Sequence, residues 1–105
     1  MQGYKVVISD LAKTDLQKII SYISKNENVA VAKHVEHGIL SEMKKLERFP
    51  TAYPKDDYAS TNEKVIRFLV KWSYKILFFI EKNKVYVVGI FHTAQNPSKL
   101  SLYSL

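Results

Sequence analysis

Cysteine is absent from the 105 residues, so no disulfide framework can form and the chain fits a reducing compartment. Glycine and proline are scarce, three of each, and little interrupts an apolar fraction of 47%. Such a composition belongs to a globular chain rather than a disordered one. No apolar run reaches the ~18–20 residues needed to span a bilayer. The N-terminal stretch, with its strand-like Val6-Val7-Ile8-Ser9, lacks the basic-then-apolar layout of a signal peptide. There is no P-loop, dinucleotide fingerprint or nucleophile-elbow pattern, which leaves ordinary hydrolase and nucleotide-enzyme readings without support. These absences predict a soluble, cytoplasmic protein with no membrane partner.

What is present is basic. Lys and Arg total 16 against 10 Asp and Glu, a net charge of +6. That balance favours an acidic partner, either nucleic acid or protein. The length is that of one domain, residues 1–105. At this size about two-thirds of the unfolded chain's surface can be buried, enough for a core without staples.

Tyr4–Ile8 alternates apolar and β-branched residues and predicts a first strand. Ser9 and Asp10 offer N-caps. Leu16, Ile19, Ile20 and Ile23 then recur at helical spacing, predicting a helix over 10–25. Ala32, Val35, Ile39, Met43 and Leu46 step 3, 4, 4, 3 along one face of a second helix over 29–48, stopped by Pro50. Residues 50–62 read as a loop. Val65–Val70, Tyr74–Ile80 and Val85–His92 follow as strands, separated by short turns. The order β-α-α-β-β-β predicts an α+β domain, a helical hairpin packed on a mainly antiparallel four-stranded sheet. The neighbour of the first strand stays open.

Side chains alternate across a sheet, so the uniformly apolar sets should face the helices. These are Ile66, Phe68 and Val70; Tyr74, Ile76, Phe78 and Ile80; and Val85, Val87, Gly89 and Phe91. A three-residue turn at 71–73 and a two-residue turn at 82–83 bring them into line. The opposite, open face then gathers Arg67, Lys75, Tyr86 and His92 among Leu69, Leu77, Val88 and Ile90. A slip of one residue in either turn would scatter that cluster.

Val65-Ile66-Arg67-Phe68, Tyr74-Lys75-Ile76-Leu77-Phe78 and Val87-Val88-Gly89-Ile90-Phe91-His92 together resemble the pattern of the RelE/ParE toxin superfamily. There an Arg-bearing strand precedes a Tyr-bearing strand and a strand ending in His. Leu46-Glu47-Arg48-Phe49-Pro50 is similar to the family's second-helix exit. Phe91-His92-Thr93-Ala94-Gln95-Asn96-Pro97 resembles its ParE-like, plasmid-stabilisation branch. The resemblance covers residues 4 to 100. It implies a bacterial growth-inhibiting toxin neutralised by a cognate antitoxin, as a homodimer or a toxin–antitoxin hetero-oligomer. ParE-like members poison DNA gyrase, whereas RelE-like members cut messenger RNA on the ribosome. A third reading is an inert module that only binds antitoxin. Ala94 stands where many members carry Arg or Lys, which tilts the expectation toward gyrase.

The candidate binding residues are Arg67, Lys75, Tyr86 and His92. If the chain is an endoribonuclease, the catalytic set is Arg67, Lys75 and His92. Guanidinium and ammonium would then stabilise charge at phosphorus, and His92 or Tyr86 would move a proton. The plainer alternatives are an Arg67 paired with Glu63 or Glu81 and a His92 bonded to a loop carbonyl. His34 and His37 lie three apart on the second helix, but no third ligand completes a metal set. Neither metal nor cofactor is expected. Asp56-Asp57 reads as a solvated loop pair, and Tyr53, Tyr58 and Trp72 as core or rim packing.

Overall fold

The structure, a computed structural model, describes residues 3–93. Ala94 and the following Gln95-Asn96-Pro97 therefore lie outside the described residues. Strand β1 spans Lys5–Ile8, helix α1 Asp10–Asn26 and helix α2 Val29–Lys44; β2 spans Arg67–Lys71, β3 Tyr74–Glu81 and β4 Lys84–His92. Short 3-10 turns occupy Lys45–Glu47 and Pro50–Ala52. The element order is the expected one. The last turn of the second helical stretch tightens from α to 3-10 geometry before Pro50, a common way to end a helix.

The helix starts follow from their caps. The Ser9 hydroxyl accepts from the Ala12 amide at 3.0 Å, and Asn28 Oδ1 accepts from the Val31 amide at 2.8 Å. Each satisfies one of the amides that a helix N-terminus leaves without a partner. With only Glu27 and Asn28 between them, the helices double back as a hairpin. Their apolar stripes meet one sheet face, where Ala12, Ile39, Met43 and Leu46 bury against Leu69, Ile76, Phe78, Val85, Val87 and Ile90.

The sheet order is β1-β4-β3-β2. β1 lies parallel to β4, and the β4–β3 and β3–β2 pairs are antiparallel. The open question of the first strand is thus answered by a parallel pairing across both helices. The far edge, β2, is covered by its own preceding loop: Phe68 donates to the Pro54 carbonyl at 3.1 Å and Asp56 to the Ile66 carbonyl at 2.7 Å.

Two expectations of register are overturned. The β2–β3 turn holds two residues, Trp72 and Ser73, because Lys71 still pairs with Tyr74. Trp72 adopts φ 54° to make it. β2 is therefore inverted: Leu69 faces the helices, while Ile66 and Phe68 face away. In β4 an extra residue interrupts the ladder, since Leu77 pairs with Gly89 and Phe78 with Val87. This β-bulge at Val88 flips everything after it. Ile90 turns inward and Phe91 outward.

The outer face is not open either. Ala59 and Ile66, from the loop before β2, cover Leu77 and Phe91 in a second buried cluster flanked by Phe68, Phe79 and Val88. No helix among the described residues is long and apolar enough to cross a membrane.

Candidate functional site

The four residues expected to share one open face are separated by the register. Arg67 pairs with Phe78, whose side chain lies in the helix-side core, so Arg67 sits on that side at the sheet edge. Its Nη1 donates to the Tyr53 carbonyl at 2.7 Å. Among the described residues it pairs with neither Glu63 nor Glu81. One of its five N–H donors thus holds the chain that follows the second 3-10 turn.

Lys75 lies on the outer face and is also committed. Its ammonium forms an ion pair with Asp56 Oδ2 and rests over the Phe68 ring at 4.2 Å, with the Phe91 ring at 6.0 Å. Asp56 is 2% exposed, so the expected solvated pair at 56–57 fails for Asp56 and holds for Asp57, which is exposed. Its Oδ1 accepts from the amides of Tyr58 and Ala59, each at 3.0 Å. The carboxylate thus folds the loop upon itself, and Lys75 supplies the charge that lets it be buried. An acid followed two and three residues later by amides it can accept is an Asx-type turn, a signal that was present in Asp56-Asp57-Tyr58-Ala59.

Tyr86 is on the outer face too, stacked on Phe79 with centroids 5.0 Å apart. Phe79 lies four residues along β3 from Lys75, about 13 Å of extended chain. Lys64 sits over the other aromatic of this pair, 4.0 Å from the Phe79 centroid.

His92 falls on the helix side, because the bulge reverses the end of β4. It meets the Tyr74 ring edge-on at 5.5 Å and borders a cleft of about 380 Å³ lined also by Asp15, Lys18, Ile19 and Tyr22. Asp15 Oδ2 accepts from the Ile90 amide at 3.0 Å, tying α1 to the strand just past the bulge. Burial raises the Tyr74 hydroxyl pKa above its ordinary 10.0, with the charges of Glu27 and Tyr22 adding to the effect. This cleft unites none of Arg67, Lys75 and Tyr86 with His92.

Cleavage of RNA through its 2′-hydroxyl needs charge stabilisation at phosphorus within reach of a group that moves a proton. Arg67, Lys75 and His92 do not converge. His34 packs against Trp72 at 5.3 Å, and among the described residues no group of three or more His, Cys, Asp or Glu side chains is gathered in metal-binding range.

The surface offers binding features instead. A groove of about 420 Å³ runs between the helices, with Ile8, Leu16, Ile20 and Leu40 as its apolar lining and Lys13 and Glu36 among its polar residues. Leu40 is 39% exposed there. Ile8 belongs to β1, and no strand lies on the outer side of β1 among the described residues. Sequence periodicity did not single out Leu40, which lies one residue beyond the buried Ile39 and off the core stripe.

The chain is similar to a known family in sequence and to solved structures in fold. The sequence model of the family described as the ParE toxin of type II toxin–antitoxin system, parDE, matches residues 6–97. No curated protein matches the chain in sequence. Among solved structures, the chromosomal ParDE toxin–antitoxin system from P. aeruginosa aligns with a TM-score of 0.70 at 14% identity, covering 85% of this chain and 95% of that one. The RelBE2 toxin–antitoxin complex from Mycobacterium tuberculosis aligns with a TM-score of 0.53 at 20% identity, covering 86% and 98%. At those identities the two structures speak to the fold, two helices on a four-stranded mixed sheet. The family match spans nearly the whole chain, and the protein belongs to the ParE toxin family of type II toxin–antitoxin systems.

Proposed function

We propose that this protein arrests bacterial growth by acting on DNA gyrase and is neutralised by a cognate antitoxin encoded beside it. Membership of the ParE family supports the toxin role. The separation of Arg67, Lys75 and His92 across the two faces and one end of the sheet supports inhibition by binding rather than by cleavage of RNA. In this reading any bond breaking belongs to gyrase. The toxin's residues matter through contact and stability.

The antitoxin reading rests on the groove between α1 and α2. An amphipathic segment laid into it would cover Leu16, Ile20 and Leu40 and could continue along the outer side of β1, which carries no strand among the described residues, since Ile8 belongs to both features. The acidic side of such a segment would answer the +6 charge of the chain.

The test is a pair of assays on the purified toxin. Gyrase incubated with plasmid should accumulate trapped cleavage complexes and lose supercoiling activity, while a reporter message translated in a purified system stays intact. Codon-phased cuts in that message, lost in Arg67→Ala and His92→Ala with gyrase unaffected, would overturn the proposal in favour of ribosome-dependent RNA cleavage.

A further inference from the structure

The chain leaves α2 through the 3-10 turn Lys45–Glu47, which the Tyr4 amide pins by donating to the Glu47 carbonyl at 2.8 Å. Pro50 is fully buried. As the residue before a proline, Phe49 is kept out of helical geometry, at φ −131° and ψ 57°. Its ring is left outside, 64% exposed. Beside it opens a groove of about 630 Å³ whose lining includes Lys44, Lys45, Arg48 and Tyr53, with Glu47 its one acid. Lys45 is tied to Glu42 at 2.8 Å, but among the described residues Lys44 and Arg48 make no ion pair.

From this juxtaposition we propose that the α2 exit is a docking groove for single-stranded nucleic acid, with phosphates on Lys44 and Arg48 and a base stacked on Phe49. The chemistry of each part selects that partner. Unpaired cations on long side chains track a phosphate backbone, and a flat exposed ring suits the face of any base. A duplex hides those faces in its own stack. An acidic peptide would satisfy the cations and leave the ring without a purpose, and an apolar peptide would do the reverse. The net charge of +6 adds long-range attraction for a polyanion. This groove is lined by different residues from the one between α1 and α2, so it is separate from the groove proposed for the antitoxin.

Fluorescence anisotropy with a labelled oligothymidylate of about twelve nucleotides, spanning the site sizes such grooves cover, tests the assignment. Two phosphate contacts predict that log affinity falls with log salt at a slope of about −1.4. Phe49→Ala should weaken binding by about 5- to 150-fold, the range for losing one stacked base. Lys44→Gln with Arg48→Gln should weaken it and flatten the salt slope. Lys25→Gln, in the last turn of α1, should leave it unchanged. The ring of Phe49 is outside the core, so thermal melts of these variants should match the wild type. Equal binding by all variants would reduce the effect to diffuse charge and overturn the proposal. So would a blunt hairpin duplex that binds as tightly with Phe49→Ala as without it. Polyglutamate that binds as tightly as the oligonucleotide at equal charge concentration, with neither affected by Phe49→Ala, would reassign the groove to an acidic protein segment.

Discussion

Gly38 on α2 lies directly beneath the indole of Trp72: a Cβ at position 38 would stand 2.1 Å from Cη2 of that ring and 2.5 Å from Cζ3. The relationship reaches far beyond the contact. Trp72 occupies the turn between β2 and β3 with φ 54°, a left-handed conformation costly for a bulky residue. Packing on the bare backbone at Gly38 and against the His34 ring offsets that cost. The two-residue turn follows, and with it the side of the sheet on which Arg67 falls.

Substituting Gly38→Ala sets two effects against each other. A mid-helix Gly→Ala exchange stabilises by roughly 0.5–1 kcal/mol. The new methyl group, however, expels the half-exposed indole, which is the far end of a movable side chain. The expected net change in stability is within about 1 kcal/mol. Trp72 is the sole tryptophan, so its emission should shift to the red by itself. An unshifted spectrum would show that the indole does not rest on α2.

The Asp56–Lys75 pair should behave as a buried bridge whose loss of one partner strands the other. Lys75→Met leaves the carboxylate, 2% exposed, without its cation. Asp56→Ala also deprives the Tyr58 and Ala59 amides of their acceptor. Each should cost about 3–5 kcal/mol in urea unfolding. The double variant should lose much less than the sum, because it leaves no charge stranded. Additive losses would mean that the two side chains act apart.

Tyr74 gives a pH signature with a definite sign. Its hydroxyl pKa is raised in the folded protein by burial, then by Glu27 and Tyr22. A raised acid favours the neutral form, so the folded state binds that proton more tightly than the unfolded chain does. The contribution to stability is whole below the ordinary 10.0 and is lost as pH rises from there through the folded value. Difference titration of wild type against Tyr74→Phe, followed by phenolate absorbance, should show one tyrosine ionising above that point. Tyr74→Phe should also lose less stability than wild type across the same alkaline window.

Leu40→Glu tests the groove between the helices. The side chain is partly exposed and outside the buried core, so folding stability should change by less than about 1 kcal/mol. Antitoxin affinity, measured by calorimetry on the purified pair, should fall at least about tenfold, as for loss of an apolar anchor at an interface. Undiminished affinity would place the antitoxin elsewhere.

Much of the architecture is determined by the sequence alone. Ser9 and Asn28 start the helices, the 3-4 spacing from Ala32 to Leu46 gives α2 its buried stripe, and Pro50 ends that stretch. The inward set of β3, from Tyr74 through Ile80, was also legible. Tertiary structure decided the site. Alternation reveals a strand's orientation only where one face is polar, and here both faces are covered, by the helices on one side and by residues of the 53–66 loop on the other. Ile66, Phe68 and Leu69 are therefore all apolar, and their pattern is compatible with either orientation. The observed choice is accompanied by contacts remote in sequence: Trp72 against Gly38 at the β2–β3 turn, and Asp15 accepting from the Ile90 amide beyond the bulge in β4. The two-residue turn and the bulge put Arg67 and His92 on the helix side and leave Lys75 and Tyr86 on the other, because a one-residue change of register moves every following side chain through the sheet.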